Sequence, residues 1–490
     1  MGTVGTADQK DQAVPFPSFA AAKDVWRSRG QFEAVTSALE RLADLVAVMV
    51  AVFLAYSAYE FLQVGRQLHY SNGTVVTATL AFAIVFVLML DHDGAYKRGN
   101  SLLRIRETER ILRVSTQAFG IVFMVTFFFL HPFSRWVVVL AVVFIPLLLV
   151  IEKQIVYLVI RYLHSRGYGL QNVLVYGAGY TGRLVYSALV RSPKLGLNPV
   201  AIVDDDEALA GQEIFEYGYR RERSAPVIAG PLTGDLIRER ASSLVVVGIP
   251  SLSRQRLQKI AAEAFAVGAD VAFVPQLSYG LETSTNYVDI DGVLIASLGQ
   301  PSRKRLYATT KRIFDFCAAF VLLVLTAPLW AALAMYIRCD SKGPVFFRQM
   351  RIGREGRPFE LYKFRTMRVD VPKYGLHPTE ADDPRVTRAG TWLRRTSLDE
   401  LPQLINVMKG EMSLVGPRPE MPFIVERYNA RQRRRLQVTP GLTGLWQLSA
   451  DRSFLIHENI QYDIYYIRDR NFFMDLAILL HTAVFAMKGV

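Results

Sequence analysis

The 490-residue chain holds only two cysteines, Cys317 and Cys339. Two thiols that flank one hydrophobic stretch make neither a disulfide framework nor a cysteine-based zinc site. Residues 1–40 lack the apolar core of a secretory signal and read as a cytoplasmic, partly disordered leader. No Tyr-x-x-x-Lys occurs between residues 170 and 300, so the acid–base pair of short-chain reductases and epimerases is missing there. Acids are scarce as well, with 44 Asp and Glu against 57 Lys and Arg, a net charge of +13 in a chain that is 51% apolar. Soluble proteins rarely combine such basicity with such hydrophobicity. A membrane protein with a large basic cytoplasmic part does, because Lys and Arg collect on that face.

Four apolar segments open the chain, Leu42–Leu62, Thr74–Leu90, Ala118–Leu130 and Trp136–Ile151. Crossing about 30 Å of hydrocarbon takes about 20 residues, so the third needs its flank Val114–Gln117. The loop "AYKRGNSLLRIRETERILR" is rich in arginine, whereas "QVGRQLHYSNG" and "HPFSRW" carry one each. The basic loop therefore faces the cytoplasm, and the N-terminus and everything after Arg161 lie there too. Asp91-His92-Asp93 reads as a polar cluster at a helix exit rather than a metal site. Residues 41–165 are thus expected to form a four-helix transmembrane domain.

From residue 170 to 300 strands alternate with helices: "NVLVY", "VAIVDDD", "SLVVVGIP" and "DVAFVP" with helical stretches between. That series predicts a doubly wound, Rossmann-like α/β domain. Gly177, Gly179 and Gly182 form G-x-G-x-x-G between strand and helix, and Asp204 closes the second strand where a ribose hydroxyl would be read. A nucleotide of unknown identity is one expectation; glycines that only pack helix on strand are the other.

"KRIFDFCAAFVLLVLTAPLWAALAMYIRCD" is long enough to span, but Pro328 interrupts it and the arginine-rich chain that follows opposes a crossing. The expectation is a helix–break–helix hairpin over 311–338 that enters the cytoplasmic leaflet and returns. The "RQRRR" run at 431–435 is read as a basic face against anionic lipid rather than a nucleic-acid site. The closing segment "NFFMDLAILLHTAVFAMKGV" is read as a packed or interfacial helix.

In "RRTSLDELPQL", Ser397 and Glu400 have the spacing of a capping box, which predicts a helix start. Capping gives no reason for Asp399, nor for the cations nearby: Lys363 and Arg365 in "YKFRTM", Arg394, Arg395, and Arg418 between two prolines. Two acids among positioned cations suit phosphoryl transfer, where alignment and charge neutralisation do the work. One carboxylate can help bind Mg²⁺ and the other can attack phosphorus.

"KRIFDF", "GPVFFRQMRIGREGRPFELYKFRTM", "RRTSLDELPQLINVMKGEMSLVGPRPE" and "VTPGLTGLWQL" together resemble the bacterial polyprenyl-phosphate phosphoglycosyl transferases of the monotopic superfamily, over residues 308–490. The whole layout is similar to the long-form undecaprenyl-phosphate galactose or glucose phosphotransferases of the WbaP type. The resemblance implies an α+β catalytic domain with the re-entrant hairpin, in the bacterial inner membrane and facing the cytoplasm. It implies that Asp399 attacks a UDP-hexose and releases UMP, and that undecaprenyl phosphate then takes the sugar phosphate from the aspartyl intermediate. Glu400 would hold Mg²⁺, with Lys363, Arg394 and Arg418 on phosphate oxygens and a homodimer as the assembly. One departure stands out. After "WQL" many relatives carry a Gly-Arg step whose arginine meets phosphate, whereas this chain reads "SADRSF", which shifts Arg452, the candidate for that phosphate contact, by one position. The alternatives are a membrane-tethered sugar-nucleotide epimerase or oxidoreductase acting at Gly177–Asp204, and a non-catalytic scaffold for glycan assembly.

Overall fold

The computed structural model describes residues 19–63, 71–96, 104–128, 134–191, 195–218, 221–275, 285–290, 293–298, 305–371, 383–448 and 460–487. The chain divides into two compact units, Met1–Leu102 with Val114–Tyr279, and Leu103–Arg113 with Gly280–Val490.

The chain begins with helices α1 (Phe19–Leu62), α2 (Asn72–His92), α3 (Arg104–Phe128) and α4 (Arg135–Ser165), all in the first unit except the start of α3, up to Arg113, which belongs to the second. From Phe19 the expected leader is helical and runs into the first apolar segment, and its residues 1–18 lie outside the described ones. α1, α2 and α4 each contain a stretch long and apolar enough to cross a membrane. The third expected span is not of that kind among the described residues. It forms the end of α3, whose first half carries Arg104, Arg106, Glu107, Glu109, Arg110 and Arg113. Within the unit the fully buried carboxylate of Asp44 on α1 is met by Lys153 Nζ of α4 at 2.8 Å and accepts from the Tyr96 hydroxyl at 2.6 Å. A charge so placed needs such partners.

The α/β part follows: β1 (Gln171–Tyr176), α5 (Tyr180–Arg191), β2 (Leu197–Asp204), β3 (Glu213–Gly218), β4 (Arg221–Ala229), α6 (Gly234–Glu239), β5 (Leu244–Val247), α7 (Arg254–Ala266) and β6 (Asp270–Phe273). The strands form one sheet in the order β3-β4-β2-β1-β5-β6, parallel except where β3 meets β4. β1 is central and buried on both faces, which is why "NVLVY" shows no alternation. Strand order reverses at β1, and the Gly177–Gly182 loop leaves from its carboxyl end, the usual place for a ligand in such sheets. Gly177 has φ +108°, and a Cβ on Gly182 would run into the Gly177 carbonyl oxygen. Gly182→Ala is therefore expected to lower stability by about 3 kcal/mol, because the obstacle is backbone and cannot rotate away. Faster hydrogen exchange at Val173–Tyr176 in the full chain checks this; unchanged protection would contradict the packing role.

The second unit holds a hairpin of β7 (Thr285–Ile290) and β8 (Val293–Leu298), then α8 (Arg305–Asp340). A second hairpin of β9 (Phe346–Ile352) and β10 (Pro358–Phe364) is followed by α9 (Arg388–Arg395), a short 3-10 turn Leu398–Glu400 and α10 (Gln403–Lys409). Next come β11 (Ser413–Val415), α11 (Pro422–Val425), α12 (Ala430–Arg433) and β12 (Gly441–Thr443), the last paired in parallel with β11. The unit closes with α13 (Ile460–Asp469) and α14 (Phe472–Met487). Met474, Ala477 and Ile478 of α14 are fully buried, so the closing segment is a packed helix, as its scattered polar residues suggested.

α8 is continuously helical for 36 residues, about 54 Å, with Pro328 inside it. The expected break is absent as a loss of helix. Thr326 instead bonds back to the Leu322 carbonyl at 2.6 Å and accepts from Trp330 Nε1 at 3.1 Å, within one turn of the proline on either side. Phe314, Ala318, Ala319 and Leu323 pack on a core that includes Leu401, Leu404, Val407 and Leu414. Trp330, Leu333 and Ile337, beyond the proline, pack with Phe364, Leu393, Leu398 and again Leu401. Both halves of α8 thus rest on the same small body. Asp315, on the first half, is buried where it accepts from the Ser413 hydroxyl at 2.7 Å.

Candidate active site

Side chains alternate along β10, so Lys363 shares a face with the buried Phe359 and Leu361. Its stem comes off the core and its amine reaches Glu400 Oε1 at 2.7 Å. Arg418 Nη2 donates to the same oxygen at 2.9 Å. Asp399 lies in the same group, buried, with its Oδ2 3.7 Å from the Lys363 ammonium. Arg394, in the last turn of α9, is fixed by a bond from its Nε to Thr366 Oγ1 at 3.0 Å, and its charge acts on Asp399. Asn406 ties the layers together. Fully buried, it accepts from the Tyr362 amide at 3.1 Å and donates to the Glu360 carbonyl at 2.6 Å, which fixes α10, just after the acids, against the strand that carries Lys363.

The acids are not a capping box. Ser397 adopts φ 55°, ψ 16° and its hydroxyl caps nothing. Glu400 turns to two cations rather than to the Ser397 amide, which donates to the Arg394 carbonyl instead. α10 begins after Pro402, where a missing amide proton costs nothing. A left-handed serine two residues before a buried carboxylate is local strain of the kind held at functional sites.

The two carboxylates differ in character. Burial pushes Asp399 above the usual carboxylate range; Lys363 pulls it down and the Glu400 charge adds to the rise. Burial acts on Glu400 too, but the Arg418 and Lys363 charges and hydrogen bonds outweigh it and hold that carboxyl well below the usual range. Glu400 is therefore a fixed anion, whereas Asp399 carries a charge its surroundings only partly offset.

Among the described residues no cluster of three or more His, Cys, Asp or Glu could hold a metal alone. Both cations bind Glu400 through Oε1, and Oε2 has no hydrogen-bond partner among the described residues. One free carboxylate oxygen beside a second carboxylate fits Mg²⁺, which takes one or two such ligands and completes its shell with substrate phosphate and water.

Of the residues singled out in the sequence, Asp399, Glu400, Lys363, Arg394 and Arg418 come together. Arg365 does not join them. Its two terminal nitrogens bond the Ser341 and Lys342 carbonyls and the Ser341 hydroxyl at 2.7–2.9 Å, so its place is at the end of α8. The carbonyls there lack helical partners, and a guanidinium satisfies several at once. Arg395 lies exposed on α9, and Arg452 falls outside the described residues. Asp204 accepts from the Ala178 amide at 2.6 Å and the Asp206 amide at 3.0 Å, so its carboxylate fastens the glycine loop. Of the "RQRRR" run, Arg435 is buried rather than lipid-facing. Thr366 and Asn406 escaped the sequence reading, since neither carries charge or a motif.

The family model for bacterial sugar transferases matches residues 306–489, and that for a CoA-binding domain matches residues 92–275. The chain is 34% identical over 260 residues to the galactosyl transferase CpsE of Streptococcus agalactiae, covering 50% of this chain and 58% of that protein. It is 31% identical over 337 residues to the UDP-glucose:undecaprenyl-phosphate glucose-1-phosphate transferase of Xanthomonas campestris, covering 66% and 68%. A protein of the same name in Klebsiella pneumoniae is 26% identical over 465 residues, 91% of this chain and 94% of that one.

Proposed function

The chain belongs to the bacterial sugar transferase family, and from that premise we propose that it transfers hexose 1-phosphate from a UDP-hexose to undecaprenyl phosphate. The products are UMP and undecaprenyl-pyrophosphate-hexose, and the step begins surface-polysaccharide assembly. The observation that carries this reading is the pairing of a buried, raised Asp399 with an anchored, lowered Glu400 inside one ring of cations.

In the proposed chemistry an Asp399 oxygen attacks the β-phosphorus of the UDP-hexose. An Asp399 O–P bond forms, and the bond from the β-phosphorus to the bridging oxygen breaks, with its electrons leaving on UMP. A phosphate oxygen of the lipid then attacks the same phosphorus and frees Asp399. No water enters either displacement. Lys363, Arg394 and Arg418 neutralise charge where it grows, and because they are fixed beforehand they need no reorganisation. Mg²⁺, held by Glu400 Oε2, would supply further neutralisation of the phosphates. Purified protein with Mg²⁺, undecaprenyl phosphate and a panel of UDP-sugars is expected to yield UMP and the lipid-linked pyrophosphate with UDP-glucose or UDP-galactose. Absence of both products across the panel would overturn the reading.

The membrane arrangement is part of the proposal. Because both halves of the unbroken α8 pack on one body, we propose that the helix bends at Pro328 and dips into the cytoplasmic leaflet rather than crossing it, which keeps the catalytic unit on the cytoplasmic side. We include the homodimer that the family resemblance implies.

A second reading concerns the α/β part, which we propose binds a nucleotide at its glycine loop. Gly177 and Gly182 are accounted for by packing, but a Cβ on Gly179 would meet open space at the carboxyl end of β1. A glycine that no protein neighbour requires is what close approach of a pyrophosphate would need. Gly179→Val is expected to leave the thermal midpoint within a degree or so of wild type yet lower affinity for a bound nucleotide at least tenfold. Isothermal titration with adenine and uridine nucleotides checks this, and equal binding by both proteins would contradict it.

A further inference from the structure

Arg418 sits in a loop, Gly416–Glu420, whose two prolines have no amide proton to anchor it. The Gly416 amide donates to the Thr443 carbonyl at 2.9 Å, and beyond it the loop is fixed by its carbonyls. The Pro417 carbonyl accepts from the Gly441 amide at 2.9 Å, the Glu420 carbonyl from the Ile352 amide at 2.9 Å, and the Pro419 carbonyl from Arg351 at 3.4 Å. The carbonyl of Arg418 itself accepts from Arg435 Nη2 at 2.9 Å.

Arg435 is an unusual donor. Its side chain is 3% exposed, and its other nitrogens meet Asp463 Oδ2 at 2.6 Å and the Tyr428 hydroxyl at 2.5 Å, with Glu420 3.9 Å away. Asp463 lies on α13, so a buried cation ties that helix to the backbone of the residue whose guanidinium grips Glu400. Stability is a weak reason for such an arrangement, because apolar residues of similar volume commonly replace a buried ion pair at no loss. Position is the better reason, since guanidinium and carbonyl belong to the same residue and a shift of one moves the other.

We infer that Arg435, held by Asp463, is a positioning residue that sets where Arg418 presents its guanidinium to the phosphates. This deepens the transferase reading and rests on it. Lysine at 435 keeps the charge but has one nitrogen, which cannot serve Asp463, Tyr428 and the Arg418 carbonyl together.

The test is a two-residue cycle on the full-length protein in nanodiscs. Arg435→Lys is expected to lower kcat roughly 10- to 100-fold, the scale on which small misplacements act. In an Arg418→Ala background the same change is expected to cost no more than about twofold, because the group it positions is gone. Effects that multiply in full, or a wild-type kcat for Arg435→Lys, would overturn the inference. Should Arg435→Lys fail to fold, Asp463→Asn takes its place in the cycle with the same expectations. Hydrogen exchange over 411–421 gives a readout independent of activity. It is expected to rise in Arg435→Lys while exchange in α10 is unchanged, and a loop as protected as wild type would overturn the positioning role. Were the wild type inactive on every UDP-sugar, the transferase reading would fail while the exchange result still judged the strut.

Discussion

Asp399→Asn is expected to stop turnover, by about a thousandfold or more, while raising the thermal midpoint of the metal-free protein at neutral pH. Asparagine keeps the shape but cannot form the bond to phosphorus, so no other group in the site makes up the loss. The rise in stability follows from linkage. Burial lifts the Asp399 pKa above its unfolded value, and the opposing charge of Lys363 does not restore it. Stability from such a group is present below the unfolded pKa and is lost as pH rises through the folded one. At neutral pH the wild type bears that loss and the asparagine variant does not. The gain should shrink as pH falls into the ordinary carboxylate range. Melting curves in EDTA from pH 4 to 8, run beside a UMP-release assay, check both parts. A variant that turns over like wild type, or one less stable at pH 7.5, would contradict the assignment.

Glu400→Gln, one residue further on, is expected to act on stability in the opposite direction. Its carboxyl is held well below its usual range by Arg418 and Lys363 against the effect of burial. That stabilisation is present above the unfolded pKa and would be lost only as pH fell through the depressed folded value. Glutamine leaves Arg418 without the carboxylate it grips and Lys363 with only Asp399, 3.7 Å away. A fully buried broken pair costs about 3–5 kcal/mol. Arg418 keeps 32% of its side-chain surface, so about 2 kcal/mol is the expected loss. Turnover is expected to fall on the order of a hundredfold and to need more Mg²⁺ to saturate. Titrating Mg²⁺ against UMP release in wild type and variant separates the two effects. An unchanged Mg²⁺ requirement would remove the ligand role, and unchanged stability would remove the electrostatic one.

Adjacent acids with opposite signs are where the sequence could be read only in part. The spacing of Ser397 and Glu400 meets the capping rule, and Asp399 and Glu400 look alike in a string of letters. What separates them is which cation each faces, and that depends on β10, on α9 and on a loop nearer the C-terminus being brought together. Apolar runs and the strand–helix alternation were legible because both follow from local period; hence β1, β2, β5 and β6 and three of the four early apolar helices appear where expected. α3 misled because its apolar end is spliced to a charged start, and the second compact unit claims Leu103–Arg113. The arginines were the hardest. Arg365 and Arg435 are as basic as Arg418, yet one closes a helix end and the other is buried against Asp463. Side-chain direction decided each case, and composition does not encode it.

The central claim is a covalent bond from Asp399 to phosphorus. The most direct measurement is to mix wild-type protein, Mg²⁺ and UDP-hexose without the lipid acceptor, quench, digest and read the peptide holding Asp399 by mass spectrometry. A phosphohexose on that side chain, discharged when undecaprenyl phosphate is added, is the expected result. Rapid product formation with Asp399 unmodified at every quench time, or a phosphohexose on another residue, would contradict the account.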